Sequence, residues 1–214
     1  IKRELSSDMP GIAIYSCKIL GDKITKHLRE WLSTDDQMLV NNSAIALGLI
    51  GDKTCLQILR NIVKNRDSFY FKDCRRTNQL RTAIAIYLIG KLGDVESIPL
   101  LKEILCDENE YDRDLYHEIK DYSYKFNLNR NFNEVYFQII SHAAIALIKI
   151  IEKNPDVKEN GLEILQEAFK DDRHIKRSTS LPKGTFEYES INNIKNYVIK
   201  FVNEVRGSQC ITNY

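Results

Sequence analysis

The stretch that decides the fold is AIALGLIGD, residues 44–52, because close variants of it occur elsewhere in the chain. AIAI stands at 83–86, AIAL at 144–147, and GKLGD at 90–94 corresponds to GLIGD at 48–52. Alanine lets one helix lie close to its neighbour, leucine and isoleucine fill the remaining space, and a glycine at the helix end accepts a left-handed backbone. The aspartate after it can cap the next helix. The sequence therefore predicts a repeated unit of a helix, a Gly-Asp turn and a second helix.

A second amphipathic stretch follows the first helix of each unit. These stretches are LREWLSTD (28–35), LRNIVKNRD (59–67), LKEILCDE (101–108) and LQEAFKDD (165–172). Gly21 and Gly51 are 30 residues apart and Gly51 and Gly93 are 42 apart, which are lengths typical of helical-hairpin repeats. A unit of this kind buries its apolar face only by stacking on the next, so we predict an all-α chain, an α-solenoid of about four to five stacked hairpins. The predicted core contains Ala46, Leu47, Ile50, Ile58, Leu88, Ile89, Leu92 and Leu101.

Two of these stretches, AIALGLIGDKTCLQILRNIV (44–63) and IGKLGDVESIPLLKEIL (89–105), resemble HEAT repeats, particularly their short bacterial, phycobilin-lyase-like form. Residues 10–36 and 139–172 match this form more loosely, so the resemblance covers about two thirds of the chain. It implies a HEAT/armadillo-like α-solenoid rather than any particular activity. We expect residues 1–214 to form one such domain.

The first residues align with a later second helix, since IKRELSSD (1–8) corresponds to LREWLSTD (28–35). We therefore expect a helix over 1–8 beside an uncovered apolar edge, as at the end of an unfinished unit. On this alignment the chain is expected to be part of a longer polypeptide.

Three segments depart from the repeat. Residues 107–134 form an acidic and aromatic insertion that includes Tyr116 and Tyr122, residues 171–190 are a polar connector, and residues 190–206 are predicted to be a terminal capping helix. Insertions in repeat proteins often lie on the binding side. The alternative is that the aromatic residues cover the end of the third unit.

Composition excludes several classes of protein. With 31 basic and 30 acidic residues the formal net charge is +1, so there is no overall positive field for nucleic acid or an anionic membrane. No apolar run approaches the roughly 20 residues that span a bilayer, and the five widely spaced cysteines do not predict a disulfide framework. We expect a soluble, cytoplasmic protein. Phosphate-loop, dinucleotide-binding, zinc-protease and serine-hydrolase motifs do not occur, and we predict no catalytic residue, metal site or cofactor.

Basic residues recur in one register of the second helices, in a column of Lys2, Arg29, Arg60 and Lys102. Packed helices lie ~8–10 Å apart, so four cations in this register would form a ladder of about 30 Å that could attract an acidic peptide or a phosphate backbone. The neighbouring column contains acids, among them Glu30 and Glu103, which would partly cancel that field. The alternative is a solvated face with paired charges.

A second basic cluster, Lys72, Arg75 and Arg76, lies among aromatic residues in FYFKDCRRTNQLR (69–81), a combination that can stack bases and contact phosphates. We predict a non-catalytic HEAT-like scaffold that binds a protein partner or another domain of its own polypeptide. The alternatives are a nucleic-acid-binding HEAT-like protein, with or without chemistry on DNA bases, and an accessory domain of a larger enzyme. The candidate binding residues are Arg29, Arg60, Lys102, Lys72, Arg75, Arg76, Tyr116 and Tyr122.

Overall fold

The computed structural model of the chain describes residues 1–7, 10–65, 75–106, 132–170 and 186–211. These residues form α-helices joined by turns, with no strand among them, and the predicted all-α class is confirmed. The chain divides into two compact units, unit 1 from residue 1 to 100 and unit 2 from residue 101 to 214. The prediction of a single domain stays a prediction.

Unit 1 contains six complete helices and the start of a seventh within its described residues. They are α1 (Lys2–Leu5), α2 (Gly11–Leu20), α3 (Asp22–Trp31), α4 (Gln37–Ile50), α5 (Leu56–Lys64), α6 (Arg75–Leu92) and α7 (Ile98–Cys106), the last of which continues into unit 2. Short 3-10 turns, Lys53–Cys55 and Val95–Ser97, precede α5 and α7. The predicted order of helix, turn and helix is therefore present in unit 1.

The Gly-Asp turns end their helices as the sequence predicts. Gly51 and Gly93 have φ angles of 104° and 70°, a left-handed backbone that favours glycine. The backbone N–H groups of Gly51 and Asp52 both donate to the carbonyl oxygen of Leu47, at 3.0 Å each. Asp52 also caps the following 3-10 turn by accepting a hydrogen bond from the backbone N–H of Thr54 at 2.9 Å.

The core of unit 1 is built around α4. Residues 39–48 of this helix are all buried, because α4 contacts α1, α2, α3, α5 and α6. A Cβ atom at Gly48 would lie 2.9 Å from Leu88 Cδ1, so glycine at this position lets α6 approach α4 closely. Of the predicted core residues, Ile50 and Ile58 are half-buried. The others are buried: Ala46, Leu47, Leu88, Ile89 and Leu92 in unit 1, and Leu101 at the start of unit 2.

Polar side chains also lie inside unit 1. The buried Asn42 in α4 donates from Nδ2 to the carbonyl oxygen of Leu5 at 2.6 Å. Its Oδ1 accepts a hydrogen bond from Nε of the buried Arg81 in α6 at 3.1 Å. One amide side chain thus connects α1, α4 and α6.

Unit 2 contains three further described helices, α8 (Phe132–Lys153), α9 (Lys158–Lys170) and α10 (Phe186–Ile211), each in contact with the other two. Their shared core includes Leu147, Leu165 and Val198. The terminal helix is longer than the predicted span of 190–206, because its last turn extends to Ile211 and its first residues belong to the predicted connector.

The predicted insertion and connector are described only at their ends. Helix α8 begins at Phe132, inside the predicted insertion of 107–134, and α10 begins at Phe186, inside the predicted connector of 171–190. Residues 107–131 and 171–185 lie outside the described residues, and the roles assigned to them stay predictions. Among the helices that are described, none combines the length and the apolar character needed to cross a bilayer.

Candidate interaction surfaces

Arg29 of α3 binds the turn that precedes α5. Its Nε and Nη2 atoms both lie 2.7 Å from Oδ2 of Asp52. The other carboxylate oxygen accepts from the backbone N–H of Thr54 at 2.9 Å and from its hydroxyl at 2.7 Å. The Asp52 side chain is 6% exposed and that of Arg29 is 56% exposed, so the pair lies at the edge of solvent.

Arg60 of α5 makes the same connection to the next turn, in a more buried setting. Its Nε and Nη2 atoms donate to the two oxygens of Asp94, at 2.7 and 2.6 Å, in a bidentate arrangement. Nη1 donates to Oε2 of Glu96 at 2.5 Å, and the hydroxyl of Ser97 donates to Asp94. The side chain of Arg60 is 19% exposed and that of Asp94 is 4% exposed.

The pKa values follow from these contacts. Burial by itself raises the pKa of Asp52, but the hydrogen bonds from Thr54 and Arg29 outweigh it and hold the pKa below its ordinary value. The hydrogen bond to Asp94 raises the pKa of Arg60 against the opposing effect of burial. Asp52 and Arg60 are therefore charged near neutral pH.

The predicted cation ladder takes a different form in the structure. Arg29 and Arg60 lie in ion pairs, Nζ of Lys2 lies 6.0 Å from the centre of the Trp31 ring, and Lys102 is exposed on α7. The alternative of a face with paired charges fits the two arginines. Their partners are the acids of the Gly-Asp turns, to which sequence reasoning gave only a capping role. The signal that could have identified them is the Leu-Arg pair at 28–29 and at 59–60, which precedes the Gly-Asp turns at 51–52 and 93–94.

The side chains of the remaining predicted binding residues lie outside the described part of the chain. Lys72, Tyr116 and Tyr122 lie outside the described residues. Arg75 and Arg76 form the first turn of α6, but their side chains are outside the described part of the chain. Their binding roles stay predictions.

Helices α3 and α5 together present polar groups of mixed character. On α3, Nδ1 of His27 lies 3.4 Å from Oε2 of Glu30, and both side chains are more than half exposed. On α5, Nε2 of Gln57 donates to Oδ1 of Asn61 at 3.2 Å. We call the exposed residues of these two helices the α3/α5 face; they include His27, Arg29, Glu30, Gln57 and Asn61. It offers hydrogen-bond donors and acceptors and both signs of charge, which suits the polar surface of another protein.

Helix α2 exposes three large apolar side chains on one side. Ile12, Tyr15 and Ile19 are 81%, 62% and 69% exposed, and their spacing of three and four residues places them along one face of the helix. The opposite face contributes the buried Ala13 and Cys17 to the core. We call the three exposed residues the α2 stripe. The sequence predicted an uncovered apolar edge in this region, but it did not identify these residues.

The two buried cysteines of unit 1 do not provide reactive thiols. Burial, reinforced by the nearby charge of Asp52, raises the pKa of Cys55 to about 12. Its Sγ donates to the backbone carbonyl of Asp52 at 3.0 Å. Burial also raises the pKa of Cys17. Both residues therefore act as small hydrophobic side chains.

A groove of about 650 Å³ lies between α9 and α10 in unit 2. Its floor is formed by Leu165, Phe169, Val198 and Val202, which are almost completely buried against one another. Charged residues form its rim: Glu163, Glu167, Lys170 and Lys195. The exposed Ile199 of α10 also lines the groove.

Within the described ranges, no group of three or more His, Cys, Asp and Glu side chains is arranged to hold a metal ion. Comparison of the chain with protein-family models, curated proteins and solved structures gives no match.

Proposed function

We propose that this chain is a non-catalytic HEAT-like α-solenoid that binds a protein partner, or another domain of its own polypeptide, through the α3/α5 face. The repeated helix, Gly-Asp turn and helix supports the proposal. So do the two arginine links, each of which joins a second helix to the turn of the following unit. Repeats connected in this way bury each apolar face against the next and leave the outer helix faces for recognition.

The observation that carries the choice of a protein partner is the neutralisation of the arginines. Arg29 faces one carboxylate, and Arg60 faces two, those of Asp94 and Glu96. A phosphate backbone is held by cations that are free to replace its counterions. Arginines already bound to carboxylates contribute little to such a field, whereas a face of mixed charge is typical of the polar rim of a protein interface.

Titration with labelled single- and double-stranded DNA and RNA, at low and moderate salt, distinguishes the protein partner from nucleic acid. We expect no salt-sensitive binding, because the paired arginines provide no continuous positive surface. Micromolar or tighter binding that weakens with added salt and is lost in the Arg75→Ala/Arg76→Ala variant would replace this proposal with the nucleic-acid alternative.

A photo-crosslinking amino acid placed at Asn61 tests the face directly in the source cells. Asn61 is exposed on α5, and Asn203, exposed on α10, is a matched control position. We expect a discrete protein adduct from position 61 and none of the same mass from position 203. Absence of an adduct at position 61, or the same adduct from both positions, contradicts a binding role for the α3/α5 face.

A further inference from the structure

The α2 stripe is a contiguous apolar surface rather than a scatter of single residues. Exposed apolar residues are common one at a time, but a connected patch on one helix marks a site where another surface packs. The α2 stripe lies on a different helix from the α3/α5 face, so the two surfaces can be tested separately.

The repeat itself indicates what kind of structure covers such a face. When the helices are aligned on their Gly-Asp turns, Ile12 and Tyr15 of α2 correspond to Asn42 and Ile45 of α4. Both α4 residues are buried, and Asn42 bonds to the preceding helix α1 through the carbonyl of Leu5. Asn42 also bonds to the following helix α6 through Arg81, so in α4 the equivalent face is covered by helices on both sides. On α2 the same face is open.

The contact between α4 and α6 shows how one first helix covers the next. Leu88 of α6 packs where Gly48 of α4 has no side chain, and a Cβ at Gly48 would lie 2.9 Å from Leu88 Cδ1. Lys91 of α6, which corresponds to Ile19 of α2, donates from Nζ to the carbonyl oxygen of Leu49 at 2.7 Å. Leu88 corresponds to Ser16, which lies between the stripe residues on the same face of α2, so a small residue in the covering helix makes room for a large side chain at the centre of that face. Tyr87, which corresponds to Tyr15, stays 37% exposed.

The charges around the α2 stripe favour an acidic neighbour. Lys18 is the only charged residue of α2, and it is exposed. Helix α1, which contacts α2, adds the exposed Arg3 and the exposed Glu4, while the ammonium group of its Lys2 lies over the Trp31 ring of α3. A partner with carboxylates beside its apolar face would complement these cations.

A second copy of this chain fits the stripe poorly. Pairing of two α2 helices would bring the bulky Tyr15 side chains and the Lys18 charges of both copies into one contact. The small residues Ala13 and Cys17 are buried on the other side of the helix and could not relieve the crowding. We propose that the α2 stripe docks an α-helix of a protein partner, which presents glycine or alanine to Ile12, Tyr15 and Ile19 and carboxylates to Lys18.

A synthetic helix with the sequence of α4 tests this proposal. The probe is a hydrocarbon-stapled, fluorescent peptide of residues 37–50 with two glutamates added at each end, and its control carries Gly48→Leu. Burial of two isoleucines is worth well over one decade in affinity, so we expect the Ile12→Ser/Ile19→Ser variant of the full chain to bind the probe at least about tenfold more weakly. The matched variant Ile199→Ser, at an exposed isoleucine of α10, should leave the affinity unchanged.

The control peptide and a charge reversal at Lys18 give two further expected results. The Gly48→Leu peptide should bind more weakly than the probe, and Lys18→Glu should weaken probe binding. Failure of the probe to bind, equal binding of the two peptides, or an affinity that the stripe variant leaves unchanged overturns the proposal. Tyr15→Ser serves as a second stripe variant. Urea unfolding is followed by Trp31 fluorescence, and a midpoint equal to that of the wild type shows that each variant is folded.

Two further measurements distinguish other occupants. If the chain alone sediments as a dimer that the stripe variant dissociates, the occupant is a second copy and the proposal is wrong. If the chain binds phosphatidylserine vesicles and the stripe variant does not, the stripe is a membrane contact and the proposal is equally wrong.

Discussion

Replacement of Arg60 by methionine tests the link between α5 and the turn before α7. Methionine keeps most of the apolar stem and removes the guanidinium group. Asp94, whose side chain is 4% exposed in the wild type, would then keep the hydrogen bond from Ser97 but lose both bonds from Arg60. The folded state would therefore contain a buried carboxylate without its cation.

The expected loss of stability follows from burial and from the remaining hydrogen bonds. Removal of one partner of a buried ion pair costs about 3–5 kcal/mol, and the partial exposure of Arg60 together with the Ser97 bond reduces this to about 2–3 kcal/mol. Arg29→Met is the matched control within the same unit. Arg29 is 56% exposed and Asp52 keeps both bonds from Thr54, so we expect a loss of about 0–1 kcal/mol.

Urea unfolding followed by the fluorescence of Trp31 provides the assay. Trp31 is the only tryptophan in the chain, and it lies in unit 1 with both ion pairs. With a urea m value of about 1–3 kcal/mol/M, the Arg60→Met variant should lose about 1 M or more from its midpoint, and Arg29→Met much less. Equal midpoints for the two variants, or an Arg60→Met midpoint equal to that of the wild type, would refute the reasoning. The further change Asp94→Asn should recover part of the loss, because it removes the unpaired charge.

Three other predictions concern packing, thiol reactivity and pH. A Cβ at Gly161 would lie 2.5 Å from Ile151 Cγ1, so Gly161→Ala should lower the free energy of unfolding by about 1–3 kcal/mol, whereas Gly207→Ala, with nothing within 4 Å, should raise it by about 0.5–1 kcal/mol. Urea unfolding followed by circular dichroism measures both variants, and a stabilising Gly161→Ala would contradict the packing argument. Cys55, with a pKa of about 12, should resist a thiol reagent at pH 8 in the folded chain and react in urea; equal rates in the two states would show that it is accessible. Because the folded pKa of Asp52 lies below its ordinary value, its charge stabilises the fold at neutral pH and this contribution is lost as the pH falls through the folded pKa. The difference in urea midpoint between wild type and Asp52→Asn should therefore be largest near pH 7 and shrink below about pH 4, and a difference that grows on acidification would count against this ion pair.

The sequence predicted the features that depend on local chemistry. The helical class and the turns at Gly51 and Gly93 follow from residues within a few positions of each other, since a repeated apolar pattern and a glycine with positive φ need no distant partner. Most of the predicted core residues are buried, because they occupy the apolar positions of the repeated pattern. Ile50 and Ile58 are half-buried because an apolar pattern does not show where the cover over a helix ends.

The features that escaped sequence reasoning join distant residues or depend on which face is covered. Arg29 and Asp52 are 23 positions apart, and Arg60 and Asp94 are 34 apart, so a column of cations does not reveal its acids. Helix α2 is apolar on nearly all sides, and its periodicity therefore could not show which side is open. The structure alone shows that Ala13 faces inward and Ile12 outward.

The hydrogen bonds of Asn42 fix the rotation of α4 about its own axis. A helix that is apolar and covered on every side has several rotational settings of similar packing energy, because contacts between aliphatic side chains are not directional. Asn42 ends this near-degeneracy, since its amide meets the Leu5 carbonyl and the Arg81 guanidinium together in one setting only. A leucine of similar volume at this position would preserve burial but remove that directional choice, and the protein would gain conformational heterogeneity before it lost its fold.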